Sequence, residues 1–108
     1  MEFKIIKSDH PMADDKREAL LENPAFGVNF TDHQVIIEWT KDAGWQNARV
    51  EPYGPMLMDP SSAVLHYGQE IFEGIKAYRH QDGSIHTFRP TANGARLQKS
   101  AHRMALPE

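Results

Sequence analysis

Residues 74–88 read Gly74-Ile75-Lys76-Ala77-Tyr78-Arg79-His80-Gln81-Asp82-Gly83-Ser84-Ile85-His86-Thr87-Phe88. Two short runs rich in β-branched and aromatic side chains flank Gln81-Asp82-Gly83, and an Asp-Gly pair between such runs is a strong signal for an antiparallel hairpin. Working outward, Pro90-Thr91 opens a helical pattern that runs to Met104, because Leu97, Ala101 and Met104 repeat at i, i+4, i+7 while Arg96, Ser100 and Arg103 share that spacing on another face. Pro107 marks the expected end of this segment. Upstream, Val64, Leu65, Tyr67, Ile71 and Phe72 suggest a short helix or turn entering a strand.

The first half gives a different pattern. Residues 3–7 form a short apolar run of strand type, broken by Ser8-Asp9-His10-Pro11. Good helix formers dominate residues 13–21, with Asp14 and Asp15 placed where the partial positive charge of a helix N-terminus favours acids, and Asn23-Pro24 ends the segment. Residues 34–40 predict a strand closed by Asp42-Ala43-Gly44. Residues 49–57 alternate loosely but contain Pro52 and Pro55, which cannot donate to a sheet ladder, so an edge strand or an extended segment is expected there. The elements add up to an α+β fold, a mainly antiparallel sheet with packed helices.

Bulk properties narrow the function. A chain of 108 residues, 40% apolar and 25% charged, is near the lower edge of domain size. Such a chain buries only about two-thirds of its unfolded surface, so its stability is expected to lean on a further partner surface. Its 15 acids and 12 bases give a net charge of −3 with no basic block, which argues against nucleic-acid binding. No run approaches the roughly 20 apolar residues of a membrane span, and the start lacks the apolar core of a signal peptide. The absence of cysteine removes thiolate chemistry and fits a reducing, cytoplasmic setting. The six histidines are dispersed, with no H-x-H or H-E-x-x-H spacing, so no metal site is expected. Ser61 and Ser62 lack the glycines of a nucleophile elbow and read as turn formers.

On spacing alone Arg96 stays open between two roles. Early in a helix, a guanidinium fork near unpaired backbone N–H groups makes a receptor for a phosphate dianion, but most helical arginines simply face water. Phe26 and Phe72, taken by themselves, read first as core packing, with the lining of a pocket as the alternative.

A resemblance weights these choices. The stretches Phe26-Gly27-x-x-Phe30-Thr31-Asp32-His33, Glu38-Trp39, Gly44-Trp45, Leu65-His66-Tyr67, Phe72-Glu73-Gly74-Ile75-Lys76-Ala77-Tyr78-Arg79 and Phe88-Arg89-Pro90 resemble, in order and spacing, the branched-chain amino-acid aminotransferases of fold-type IV, across residues 25–107. The F-E-G and K-A-Y-R elements are shared in looser form by other fold-type IV enzymes, whereas F-G-x-x-F-T-D-H with E-W and G-W is particular to the branched-chain group. The resemblance implies that residues 1–108 are the small N-terminal domain, incomplete, of an enzyme that transfers the amino group of leucine, isoleucine or valine to 2-oxoglutarate. It implies pyridoxal 5'-phosphate as cofactor and a homodimer. Carried over by position, Arg96 matches the arginine that binds the cofactor phosphate. Phe26, Tyr67, Phe72 and Gly74 match positions lining the substrate pocket, where Gly74 would keep one wall open.

The family's Schiff-base lysine is expected beyond residue 108, and Lys76, although inside the motif, is not at the position the family uses. No catalytic residue is therefore assigned within the chain, which by itself is expected to be inactive. Two alternatives remain: another fold-type IV enzyme, such as a D-amino-acid aminotransferase or aminodeoxychorismate lyase, and a non-catalytic interaction or oligomerisation module of the same fold. The long leader containing F-T-D-H argues against the first, and the missing lysine favours the second.

Overall fold

The structure, a computed structural model, describes residues 1–107, which fall into two compact units, one spanning Met1–Leu57 and the other beginning at Met58. In the first unit the order is β1 (Lys4–Ile5), α1 (Asp14–Glu22), β2 (His33–Thr40) and β3 (Gly44–Pro52). The strands form one sheet in the order β1-β3-β2, with β2 antiparallel and β1 parallel to β3. The run Val35-Ile36-Ile37 supplies the stiff, branched side chains that favour β2, and Trp39 stands opposite Trp45 across the tight connection to β3.

The expectation for residues 49–57 is corrected here. Arg49 and Val50 lie on the central strand, paired with Lys4 and Ile5 on one side and with Ile36 and Val35 on the other. Pro52 is accommodated because it is the last residue of β3, where a missing N–H interrupts nothing further, and the next residue resumes with Tyr53 N–H donating to the Asp32 carbonyl at 3.0 Å. Within the β2–β3 ladder, Ile36 pairs with Arg49 but Glu38 pairs with Gln46. Asn47 and Ala48 therefore oppose Ile37 alone, a β-bulge in which Asn47 takes a left-handed φ of 52°. The Asn47 amide and the Arg49 guanidinium both donate to the Glu38 carboxylate, at 2.9 and 2.6 Å, and anchor the bulge. Helix α1 has no side-chain cap, and Asp14 and Asp15 occupy its first turn as expected. Asp32 ties α1 to β2 by accepting from the Met12 N–H at 2.9 Å and from Arg17 at 3.1 Å.

The second unit contains α2 (Ala63–Tyr67), β4 (Ala77–Arg79), β5 (Ile85–Thr87) and α3 (Pro90–Arg103). The predicted hairpin is present: Ala77, Tyr78 and Arg79 pair with Thr87, His86 and Ile85. Its tip closes through His80 N–H donating to the Ser84 carbonyl and Gly83 N–H donating to the His80 carbonyl. Gly83 takes a φ of 84°, and the Asp82 carboxylate accepts from the Ser84 N–H at 2.9 Å. Beyond α2 the chain does not enter a strand at once: residues 68–76 are irregular, and β4 starts only at Ala77. Helix α3 begins with proline at its first position, where the absent N–H costs no hydrogen bond. It ends in a Schellman arrangement, with Leu106 N–H donating to the Ala101 carbonyl at 2.9 Å and Ala105 N–H to the His102 carbonyl at 3.2 Å. Ala105 takes the left-handed φ of 53° that glycine usually supplies there.

Burial is shallow. Ala48 and Ala101 are the buried apolar side chains among the described residues, and Phe26, Tyr67, Phe72 and Leu57 are almost wholly exposed. No helix among the described residues is long and apolar enough to cross a membrane.

Candidate functional site

Helix α3 and the irregular stretch after α2 together hold the most distinctive polar cluster of the second unit. Arg96 is the seventh residue of α3, nearly two turns past the N–H groups left open at the helix start, so the helix end and the guanidinium do not converge as a single receptor. What engages the guanidinium is Glu73. The Arg96 Nε–H donates to Glu73 Oε1, and Nη2 donates to Oε2 at 2.6 Å, a side-on bidentate pair. Asn93, one turn earlier on α3, donates from Nδ2 to Glu73 Oε2 at 2.8 Å and to the Gly74 carbonyl at 2.9 Å. One helical spacing of three residues thus brings a neutral and a charged donor onto a single carboxylate.

The pair is asymmetric in exposure. The Glu73 side chain is 15% exposed, whereas that of Arg96 is 65% exposed. The Arg96 guanidinium, followed by the Asn93 amide, holds the Glu73 carboxyl far below the ordinary glutamate range, at about 2, and Glu73 in turn pushes the Arg96 pKa further up. Both groups are charged throughout the physiological range. Of the five N–H donors of an arginine, Nε–H and one on Nη2 are committed to Glu73, which leaves the donors of Nη1 and the second of Nη2 for another acceptor.

Along α3, Arg96, Lys99 and Arg103 follow at spacings of three and four residues and line one side of an open groove of about 460 Å³. Glu70, Phe72 and Met104 are among the residues lining the rest of it. Two of the residues singled out in the sequence, Arg96 and Phe72, therefore share one groove. Gly74 sits beside them: a Cβ placed there would meet the Phe72 ring at 3.8 Å, an ordinary contact, so its neighbour through space is an aromatic ring. Tyr67 is the last residue of α2, is 86% exposed and is not among the residues lining that groove. Phe26 belongs to the other unit, where its side chain is fully exposed beside Gly27 with a φ of 71°. Glu73 and Asn93 were missed by sequence reasoning. Glu73 stood inside the F-E-G motif, but nothing local marks a contact that spans 23 residues.

No family model matches the chain. Over all 108 residues it is 59% identical to the branched-chain-amino-acid aminotransferase of Mycolicibacterium smegmatis, and it covers 29% of that protein. It is 55% identical over 106 residues to a probable branched-chain-amino-acid aminotransferase of Streptomyces coelicolor, covering 98% of this chain and 29% of the relative. With the mitochondrial branched-chain-amino-acid aminotransferase of Saccharomyces cerevisiae the identity is 43% over 105 residues, 97% of this chain and 26% of the relative. The chain spans under a third of the length of these relatives, and across that span its sequence belongs to the branched-chain-amino-acid aminotransferase family.

Proposed function

We propose that residues 1–108 form the small N-terminal part of a pyridoxal-phosphate-dependent aminotransferase, cytoplasmic and homodimeric at full length, that moves the amino group of leucine, isoleucine or valine to 2-oxoglutarate. The observation that carries this reading is the 59% identity over the whole chain to a relative named branched-chain-amino-acid aminotransferase. The shallow burial of large apolar side chains agrees with a segment that packs against further protein.

The residues present fit the anionic end of such a cofactor. The Arg96 donors not taken by Glu73 offer N–H groups in the planar fork that matches phosphate, and Lys99 and Arg103 add positive charge along the same groove. When bound, pyridoxal phosphate supplies an electron sink that lets an amino group leave carbon. Arg96 would hold its phosphate, while Phe72, with Tyr67 and Gly74, would line one side of the space for the aliphatic side chain of the amino acid; Phe26, in the first unit, is proposed as a substrate-lining residue on its sequence position alone. The lysine that meets the cofactor aldehyde is not assigned to any position here, so these 108 residues by themselves are proposed to be inactive.

The test is amino transfer by the full-length protein supplied with pyridoxal phosphate. Glutamate formation from 2-oxoglutarate with L-leucine, L-isoleucine or L-valine is expected. Transfer from D-alanine in their place, or none from any donor, would refute the assignment.

A further inference from the structure

We propose that Glu73 is a positioning residue: with Asn93 it clamps the Nε side of Arg96 so that the opposite, Nη1-bearing edge is already aimed at an incoming phosphate. The proposal rests on the reading of Arg96 as a phosphate ligand and adds the device that prepares it.

Three observations carry it. First, the carboxylate takes the side edge of the guanidinium, through Nε and Nη2, and not the end edge. That leaves the end-edge donors, on Nη1 and Nη2, available to a second anion. Second, Glu73 is itself held. Besides Arg96 it accepts from Asn93 Nδ2 at 2.8 Å, and its side chain is only 15% exposed, so it is poorly placed to swing aside as a displaceable stand-in for phosphate. Third, Asn93 also donates to the Gly74 carbonyl at 2.9 Å, which fixes the backbone carrying Glu73 to the helix carrying Arg96. Motion of the clamp is thereby coupled to motion of α3.

A rotamer-rich side chain ordered before binding spares the ligand the cost of ordering it, an effect worth roughly fivefold to tenfold in affinity. A second consequence opposes this: the Glu73 charge weakens the attraction between Arg96 and a dianion. That repulsion acts across an Arg96 that is 65% exposed and weakens as salt rises, whereas positioning does not. At high salt positioning is left as the larger effect.

The experiment measures dissociation constants for pyridoxal phosphate and for pyridoxal, which lacks the phosphate, on the full-length apoprotein at physiological and at high salt. Their ratio isolates the phosphate contribution. Glu73→Ala is expected to lower the preference for the phosphorylated form about fivefold to tenfold, and more clearly at high salt. Asn93→Ala, which changes no charge and serves should Glu73→Ala fail to fold, is expected to lower it about twofold to threefold. In an Arg96→Ala background both effects should vanish, because a residue that acts through another has nothing to act on once that other is gone.

An unchanged or increased preference in Glu73→Ala would overturn the proposal and make Glu73 a competitor. Equal losses with and without Arg96 would overturn it in favour of a general structural role. If Arg96→Ala itself left the preference intact, the phosphate reading would fail, and the clamp would lose its purpose. That outcome is distinct from one in which Arg96→Ala acts and the two clamp variants do not.

Discussion

Replacing Arg96 by alanine should change the titration of a residue 23 positions away. In the intact protein the Glu73 carboxyl accepts from two guanidinium nitrogens and from the Asn93 amide, and these hold its pKa at about 2. The Arg96 hydrogen bonds are the largest of these influences. Without them the Asn93 amide still lowers it while partial burial raises it, so the midpoint should climb well above about 2, towards the roughly 4.3 of an unperturbed glutamate. Carbon-detected NMR of labelled glutamate carboxyls reads this directly.

The sign for stability follows from the depressed folded pKa. The stabilisation is fully present above the unfolded value near 4.3 and is lost as pH falls through about 2. Between those limits the unfolding midpoint of the unaltered protein should fall with pH more steeply than that of Arg96→Ala. A Glu73 midpoint near 4.3 in the unaltered protein would mean that the pair does not form. A midpoint that stayed near 2 in Arg96→Ala would mean that Arg96 does not cause the depression.

Other outcomes follow from the same geometry. Phe72→Ala removes a ring lining the groove and should cut kcat/KM for leucine about tenfold or more while leaving cofactor affinity intact; steady-state kinetics with retained cofactor absorbance checks this, and unchanged leucine turnover counts against the pocket role. Ala105→Gly should raise the unfolding midpoint, by an amount corresponding to about 1 kcal/mol, because alanine there holds a φ of 53° at the Schellman position; a lower midpoint in calorimetry would contradict that account of the helix end. Asn47→Val should destabilise by about 1–2 kcal/mol, since a β-branched residue resists the left-handed bulge conformation, and the bond to Glu38 is lost as well; denaturant unfolding measures it.

How much of this was legible in the sequence depends on the range of the interactions. The hairpin was readable because Asp82-Gly83 encodes its own turn within a few residues, and α1 and α3 because acids or proline mark their starts. Residues 49–52 were misread because Pro52 suggests an edge when judged locally. Only the pairing of Arg49 and Val50 with both neighbours reveals a central strand that places its proline at the terminus. The bulge at Asn47 was likewise invisible, since asparagine in a run of strand formers carries no signal until its partner strand is known. For the site, Arg96 came from its place in the helix and from the family resemblance, Phe72 from the F-E-G motif, and the two share a groove. Glu73 sat in plain view within F-E-G, yet its role is a contact between a loop and a distant helix, which neither period nor propensity encodes.

The central claim, that Arg96 grips the phosphate of pyridoxal phosphate, is tested most directly by a crystal structure of the full-length protein with the cofactor bound. The account predicts Arg96 Nη1 at about 3 Å from a phosphate oxygen, with Nε still bonded to Glu73. A guanidinium whose outer edge faces bulk water, remote from the coenzyme, would contradict it.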